Sequence, residues 1–218
     1  MNNIRKAAAL DISILLPYGK TMLFVLLLPT AFAAINRSLS AGVSFAVSFA
    51  AMTAGYTFSI MEKNDMERLY GILPVKKSDL VIGRYILMIA QGCLTILLSL
   101  AVQPALLRLM GEKVGQAEIA LSAAIGIFLF ALYTACQLPG YYKYGAVKGR
   151  IFIFFPTGIF ILLLLIFSRK QGDIPEDMPT EALPVSPLLL VIAAAGAAAV
   201  MYAVSIAVSV RIMENKEM

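Results

Sequence analysis

The chain has 218 residues, of which 60% are hydrophobic and 14% are charged, and its formal net charge is +5. A soluble domain carries about 25% charged residues, so this composition predicts an integral membrane protein with no room for a soluble catalytic domain. Histidine is absent, and no nucleotide-binding or metal-binding motif is present. We therefore expect no catalytic residues, no metal, no cofactor on this chain and no nucleic-acid partner.

The apolar pattern predicts one all-α transmembrane domain over residues 1–218. Residues 2–16 are predicted to form an interfacial amphipathic helix, and a frayed extension of the first span is the alternative. Six apolar segments follow, and most are near the 17–25 residues that cross a bilayer. The predicted spans are residues 17–35, 39–61, 80–107, 117–138, 151–167 and 187–210.

Basic residues predict the orientation of these spans. Six spans place both termini on one side of the membrane. The terminal segments and the connections 62–84 and 141–150 together carry thirteen of the 18 lysines and arginines, and the other connections carry five. Because lysine and arginine accumulate on the cytoplasmic side, we expect both termini and both of these connections in the cytoplasm.

The polar side chains deep inside the spans are neutral. Interhelical hydrogen bonds or close packing are the default role for the polar ones. Contact with a transported molecule is the alternative, and its candidates are Ser48, Thr53, Gln91 and Gln137. Cys93 and Cys136 are predicted to be small core residues. No ionisable side chain lies deep in a span, so we expect the energy for any transport to come from another subunit and the cargo to be apolar or amphipathic.

Residues 62–85, EKNDMERLYGILPVKKSDLVIGRY, form a dense polar segment between the second and third apolar runs. Met66, Leu69, Tyr70 and Leu73 follow the i, i+3, i+4, i+7 spacing of an amphipathic helix, which Pro74 ends. A short helix of this kind between two spans either docks on a partner or lies on the lipid headgroups, and the spacing alone leaves both alternatives open.

This segment resembles the first cytoplasmic loop of ABC-2 type permeases, the membrane subunits of bacterial ABC exporters. Glu62 and Asn64 match the acidic start of the motif, and Leu73-Pro74-Val75 matches its core. Lys76-Lys77 matches the basic pair, and Arg84-Tyr85 takes the place of a Lys-Tyr pair. About 24 residues carry the motif, while the six-span layout extends the resemblance over the whole chain.

The resemblance implies a half-transporter in the bacterial plasma membrane. It would pair with a second permease copy, as a homodimer, and with two ABC ATPase subunits that hold ATP and Mg²⁺. The helix after span two would be the coupling helix that contacts the ATPase, through Glu62, Asp65, Met66, Glu67, Arg68, Leu69, Tyr70 and Pro74. We expect export of a peptide, an antimicrobial or a lipid-like drug. A non-transporting membrane scaffold or immunity protein is the alternative.

Overall fold

The computed structural model describes residues 12, 19–64, 76–158 and 186–215. Within these ranges every regular element is a helix. Four helices are long and apolar enough to cross a membrane: Leu39–Lys63, Lys77–Leu109, Gln116–Gly158 and Pro187–Glu214. The all-helical membrane class is thus confirmed for this part of the chain, while the six-span count and the orientation stay predictions. The predicted interfacial helix 2–16, apart from Ile12, and span five beyond residue 158 lie outside the described residues.

The first two helices form a tight hairpin. Helix α1 (Gly19–Asn36) ends in a Schellman motif, in which Ser38 N–H donates to the Ala33 carbonyl at 3.3 Å and Arg37 N–H donates to the Ala34 carbonyl at 3.4 Å. Arg37 takes the left-handed conformation that this motif requires, with φ of 49°. Ser38 also caps helix α2 (Leu39–Met52), since its Oγ accepts from Ala41 N–H at 3.4 Å. Two residues therefore end one helix and begin the next.

The predicted span 39–61 is two helices with a tightened turn between them. Helix α3 (Ala54–Lys63) follows α2 after Thr53, whose N–H and Oγ both donate to the Ala50 carbonyl, at 3.1 and 2.6 Å. The amide of Gln91, on the neighbouring helix α4 (Lys77–Leu109), donates to Thr53 Oγ1 at 2.5 Å. A neighbouring side chain thus supports the turn, as backbone irregularities in a membrane require.

The helices in the second half of the chain extend beyond the predicted spans. Helix α5 (Gln116–Gly149) runs through the segment 141–150, which the sequence analysis assigned to a loop. A single non-helical residue, Gly145, breaks it, and a 3₁₀ helix (Arg150–Ile153) and helical residues 154–158 follow. At 1.5 Å per residue the unbroken part of α5, residues 116–144, is about 44 Å long, so it exceeds the roughly 30 Å hydrocarbon layer. Helix α6 (Pro187–Glu214) packs chiefly along α5.

Two apolar clusters hold the helices together. The Phe130 cluster joins α2, α4 and α5. The Phe130 ring lies so close to Gly92 on α4 that a methyl group on Gly92 would be 2.2 Å from it. The Phe58 cluster joins α3, α4, α5 and α6 through Phe58, Tyr85, Tyr141 and Met213. Most of α6 is exposed and apolar, as expected of a lipid-facing helix. Cys93 is also exposed, so its predicted core position is wrong, whereas Cys136 is half-buried.

Candidate functional site

The candidate site is the end of the bundle where α3 ends, α4 begins and α5 is broken. We call it the junction and define it by Ser59, Met61, Glu62, Arg84, Tyr142, Gly145, Ala146 and Arg150. Residues 65–75, which carry most of the predicted coupling helix, connect α3 to α4. Because both helices belong to the Phe58 cluster, the junction anchors the two ends of that connection.

The break in α5 depends on a glycine. Gly145 has φ of 77° and ψ of −177°, a region of conformational space that is essentially restricted to glycine. Helical residues resume at Ala146, so the first backbone N–H groups of the new segment have no partner within their own helix. Glu62 supplies one partner: its Oε2 accepts from Ala146 N–H at 2.7 Å. A carboxylate is also favoured there by the positive end of the helix dipole.

Arg84 is the buried charged side chain of the junction. Its side chain is only 6% exposed, and the guanidinium lies 4.5 Å from the centre of the Phe58 ring and 5.7 Å from that of Tyr142. Arg84 Nη2 also donates to Met61 Sδ at 2.8 Å. The cation therefore links α3, α4 and α5 through aromatic faces, an interaction worth about 2 kcal/mol when desolvated. Helix α4 begins at Lys77, so Arg84 lies in its second turn, on the side that packs inside the bundle.

A second polar contact joins α3 to the chain beyond the break. Arg150 Nη2 donates to Ser59 Oγ at 3.2 Å, in an exposed position. Together with the Glu62–Ala146 bond, it ties the last two turns of α3 to both ends of the segment 146–150. Neither contact follows from the sequence pattern, because about 85 or 90 residues separate the partners.

The predicted ATPase-binding residues fall unevenly on the structure. Glu62 is exposed in the last turn of α3. Asp65, Met66, Glu67, Arg68, Leu69, Tyr70 and Pro74 lie outside the described residues. Their role in coupling therefore stays a prediction, and the junction shows how the helices on either side of them are held.

The four candidate cargo-contacting residues do not form one group of hydrogen-bonded side chains. Thr53 and Gln91 come together at the turn between α2 and α3. Ser48 Oγ donates to the Ser44 carbonyl in its own helix at 2.8 Å. Gln137 is fully buried in α5, and within the described part of the chain its amide has no hydrogen-bond partner. The structure thus gives Thr53, Gln91 and Ser48 structural hydrogen bonds.

A buried hydroxyl network, which the sequence analysis missed, links α4, α5 and α6. Ser205 Oγ donates to the Ala135 carbonyl at 2.7 Å, so the Tyr85 hydroxyl, 2.6 Å away, donates to Ser205. Tyr85 in turn accepts from Ser209 at 2.8 Å. Serines four residues apart on one face of α6 are the available sequence signal, but their partner on α4 is fixed only by tertiary packing.

Across residues 19–64, 76–158 and 186–215, no three His, Cys, Asp or Glu side chains come close enough to hold a metal ion. What the junction does offer is a mechanical connection: three helices joined at the point where a polar segment enters and leaves the bundle.

Comparison with known proteins identifies the class of membrane protein. Residues 10–214 match the family model described as ABC-2 family transporter protein, which covers nearly the whole chain. No curated protein and no solved structure matches the chain. The match confirms the resemblance that residues 62–85 carry. Members of this family are membrane components of transporters, and membership implies association with ABC ATPase subunits. The chain belongs to the ABC-2 family of transporter proteins.

Proposed function

We propose that this chain is the permease subunit of an ATP-driven exporter, and that residues 65–75 form the helix that docks on the ATPase. The observation that carries the proposal is the anchoring of both ends of this segment. Glu62 is bonded to Ala146 on one side, and Arg84 is held between aromatic rings on the other. Force applied to the segment therefore reaches α3, α4 and α5 together.

The chemistry of the bundle supports an apolar or amphipathic cargo. The buried polar side chains of the described helices are hydroxyls and amides, and Arg84, at the junction, is the one charged side chain among them. A polar ionic cargo would need a counter-charge along its path. An amphipathic peptide or a lipid-like drug would need only apolar surface and neutral hydrogen-bonding groups. Outward movement follows from the proposed exporter class.

The proposed complex contains two permease copies and two ATPases. Small residues let helices of two copies approach closely in a membrane. In the predicted span 39–61 most small residues, including Gly42, Ala46 and Ala50, are already buried within one chain. Small residues remain exposed on α6, for example Ala195 and Gly196, so pairing of two copies has small-residue surface available there.

The docking proposal is tested with the double change Leu69→Ser, Tyr70→Ser. Burying each side chain contributes roughly 1.5–3 kcal/mol, so losing both should weaken ATPase binding by about 3–5 kcal/mol when incomplete additivity is allowed for. That is roughly a hundredfold or more in affinity. The assay is the affinity of the purified chain for the ATPase of its own complex, and the native mass of the same preparation gives the number of permease copies.

A matched control removes two exposed apolar side chains at the start of α6. Leu188 and Leu189 are 70% and 57% exposed, far along the chain from the junction. Changing both to serine should leave ATPase affinity unaltered. If residues 65–75 only lie on lipid headgroups, or if the chain is a scaffold or immunity protein, the Leu69/Tyr70 variant will bind ATPase as the unaltered chain does. That result would remove the docking proposal.

A further inference from the structure

Glu62 lies next to the proposed docking segment, but its carboxylate accepts a hydrogen bond from another part of the same chain. Oε2 accepts from Ala146 N–H at 2.7 Å. A methyl group at residue 145 would lie 3.4 Å from the same oxygen, so the carboxylate sits directly against the break in α5. The resemblance to ABC-2 permeases implied that Glu62 contacts the ATPase, and its position in the structure indicates a different role.

The break in α5 creates a need for the hydrogen-bond acceptor that the Glu62 carboxylate supplies. Gly145 interrupts the helix, and the segment 146–158 starts with backbone N–H groups that need acceptors. A charged acceptor at this place forms a shorter and stronger hydrogen bond than a neutral one. Without it, the start of the segment would need water as the acceptor.

We infer that Glu62 is a positioning residue, which holds the start of the segment 146–158 to the end of α3 and is not an ATPase contact. The inference rests on the proposed function for its consequence: movement of residues 65–75 reaches the second half of the bundle through Glu62 and Ala146. Gly145 is then the hinge at which this half turns, because a few residues at the end of an element absorb the change in backbone angles. The Arg84 contacts keep α3 and α4 in register while that happens.

The first experiment uses the isolated chain and needs no ATPase. Amide hydrogen exchange is measured over residues 146–153 in Glu62→Gln and Glu62→Ala variants. Glu62→Ala should raise exchange at Ala146 by about tenfold or more, because the amide loses its acceptor. Glu62→Gln keeps a neutral, weaker acceptor oxygen and should raise exchange at Ala146 much less than Glu62→Ala does. Glu214 is an exposed carboxylate in the last turn of α6, so Glu214→Gln and Glu214→Ala are matched controls that should change nothing.

A change at Gly145 tests the same contact from its other side. Gly145→Ala places an alanine at a φ of 77° and should displace Ala146 from Glu62. Its effect on exchange should therefore add little to that of Glu62→Ala, because both changes remove one contact. Full additivity of the two effects would show that Glu62 and the break are independent, and would overturn the inference.

The second experiment measures ATPase affinity and the response to ATP plus vanadate in the complex. Both Glu62 variants should bind ATPase within about twofold of the unaltered chain, whereas Glu62→Ala should lose the nucleotide-induced change in exchange over residues 146–153. Weaker binding by both variants, with unchanged exchange at Ala146, would identify Glu62 as an ATPase contact and overturn the inference. If the unaltered chain binds no ATPase, the proposed function fails, and exchange in the isolated chain still decides whether Glu62 holds Ala146.

Discussion

Substituting Gly42 by alanine should separate α1 from α2. A Cβ atom at residue 42 would lie 2.4 Å from Ala33 Cβ and 3.1 Å from Ala33 Cα. Nonbonded carbon atoms prefer about 3.5–4.0 Å, so the shortfall against Ala33 Cβ is more than 1 Å. Ala33 has no side chain that could rotate away, and the two-residue turn at Arg37 and Ser38 holds the helices at this distance. One helix backbone therefore has to move.

Overpacking of this kind costs about 1–3 kcal/mol. The proper comparison is Gly196→Ala, because a Cβ atom at Gly196 on α6 meets nothing within 4 Å. Both variants gain the same helix propensity, so the difference between them isolates the steric conflict. For a chain of this size 1 kcal/mol corresponds to about 2–4 °C, so the unfolding midpoints should differ by roughly 2–12 °C, with Gly42→Ala the lower.

The assay is thermal unfolding in detergent followed by far-UV circular dichroism, with both proteins at the same concentration and detergent ratio. Gly196→Ala should unfold at or slightly above the temperature of the unaltered chain. Equal midpoints for the two variants would refute the reasoning, because they would mean that α1 and α2 are not held at the distance that the structure shows.

Two further predictions concern the junction and the orientation of the chain. Arg84→Met should lower the free energy of unfolding by about 2 kcal/mol or more, because the cation over Phe58 and Tyr142 is lost; Arg211→Met, at an exposed position on α6, is the control and should have little effect. In a chain without Cys93 and Cys136, cysteines placed at Lys63 and Lys143 should be shielded from impermeant thiol reagents in intact cells, while one at Asp177 should be labelled. Labelling at Lys63 would reverse the predicted orientation.

The sequence predicts the helical membrane class. It also predicts those helix ends that a proline, a glycine or a group of charges marks. The predicted span 187–210 and the helix Pro187–Glu214 share their start, because Pro187 occupies the first turn, where its missing N–H is no loss. The predicted span 80–107 lies within the helix Lys77–Leu109. Its end is predictable because charges and a glycine follow the apolar run, and Gly111 adopts a φ of 88° just beyond the helix end.

The sequence does not predict where α5 breaks. The segment 141–150 lies between the predicted spans 117–138 and 151–167, so it is expected to be a connection outside the helices. In the structure Tyr141 and Tyr142 are buried against α3, and this packing extends the helix through them. Gly145 is one of fifteen glycines in the chain. Tertiary contacts flank it on either side, at Tyr142 and Ala146, and the sequence does not show either of them.

Arg84 illustrates a second limit. Positive charge near the start of a span is explained as an orientation signal. That explanation gives no reason to expect the Arg84 side chain to be buried. The pattern Val81, Tyr85, Met88 does mark the buried face of α4, and Arg84 lies beside it. Whether an arginine beside a buried face points to water or inward depends on the partners it meets, here Phe58 and Tyr142, which belong to other helices.

The two-residue turn between α1 and α2 also fixes the length of the chain at that point. Arg37 closes the end of one helix and Ser38 opens the next, so no residue between them is spare. One inserted residue would remove either the Schellman bonds or the Ser38 cap, and would shift Gly42 out of register with Ala33. Epitope tags and protease sites have no place in this turn, and the more open connection around Gly111 and Gly115, where a Cβ atom meets nothing within 4 Å, is the better position for them.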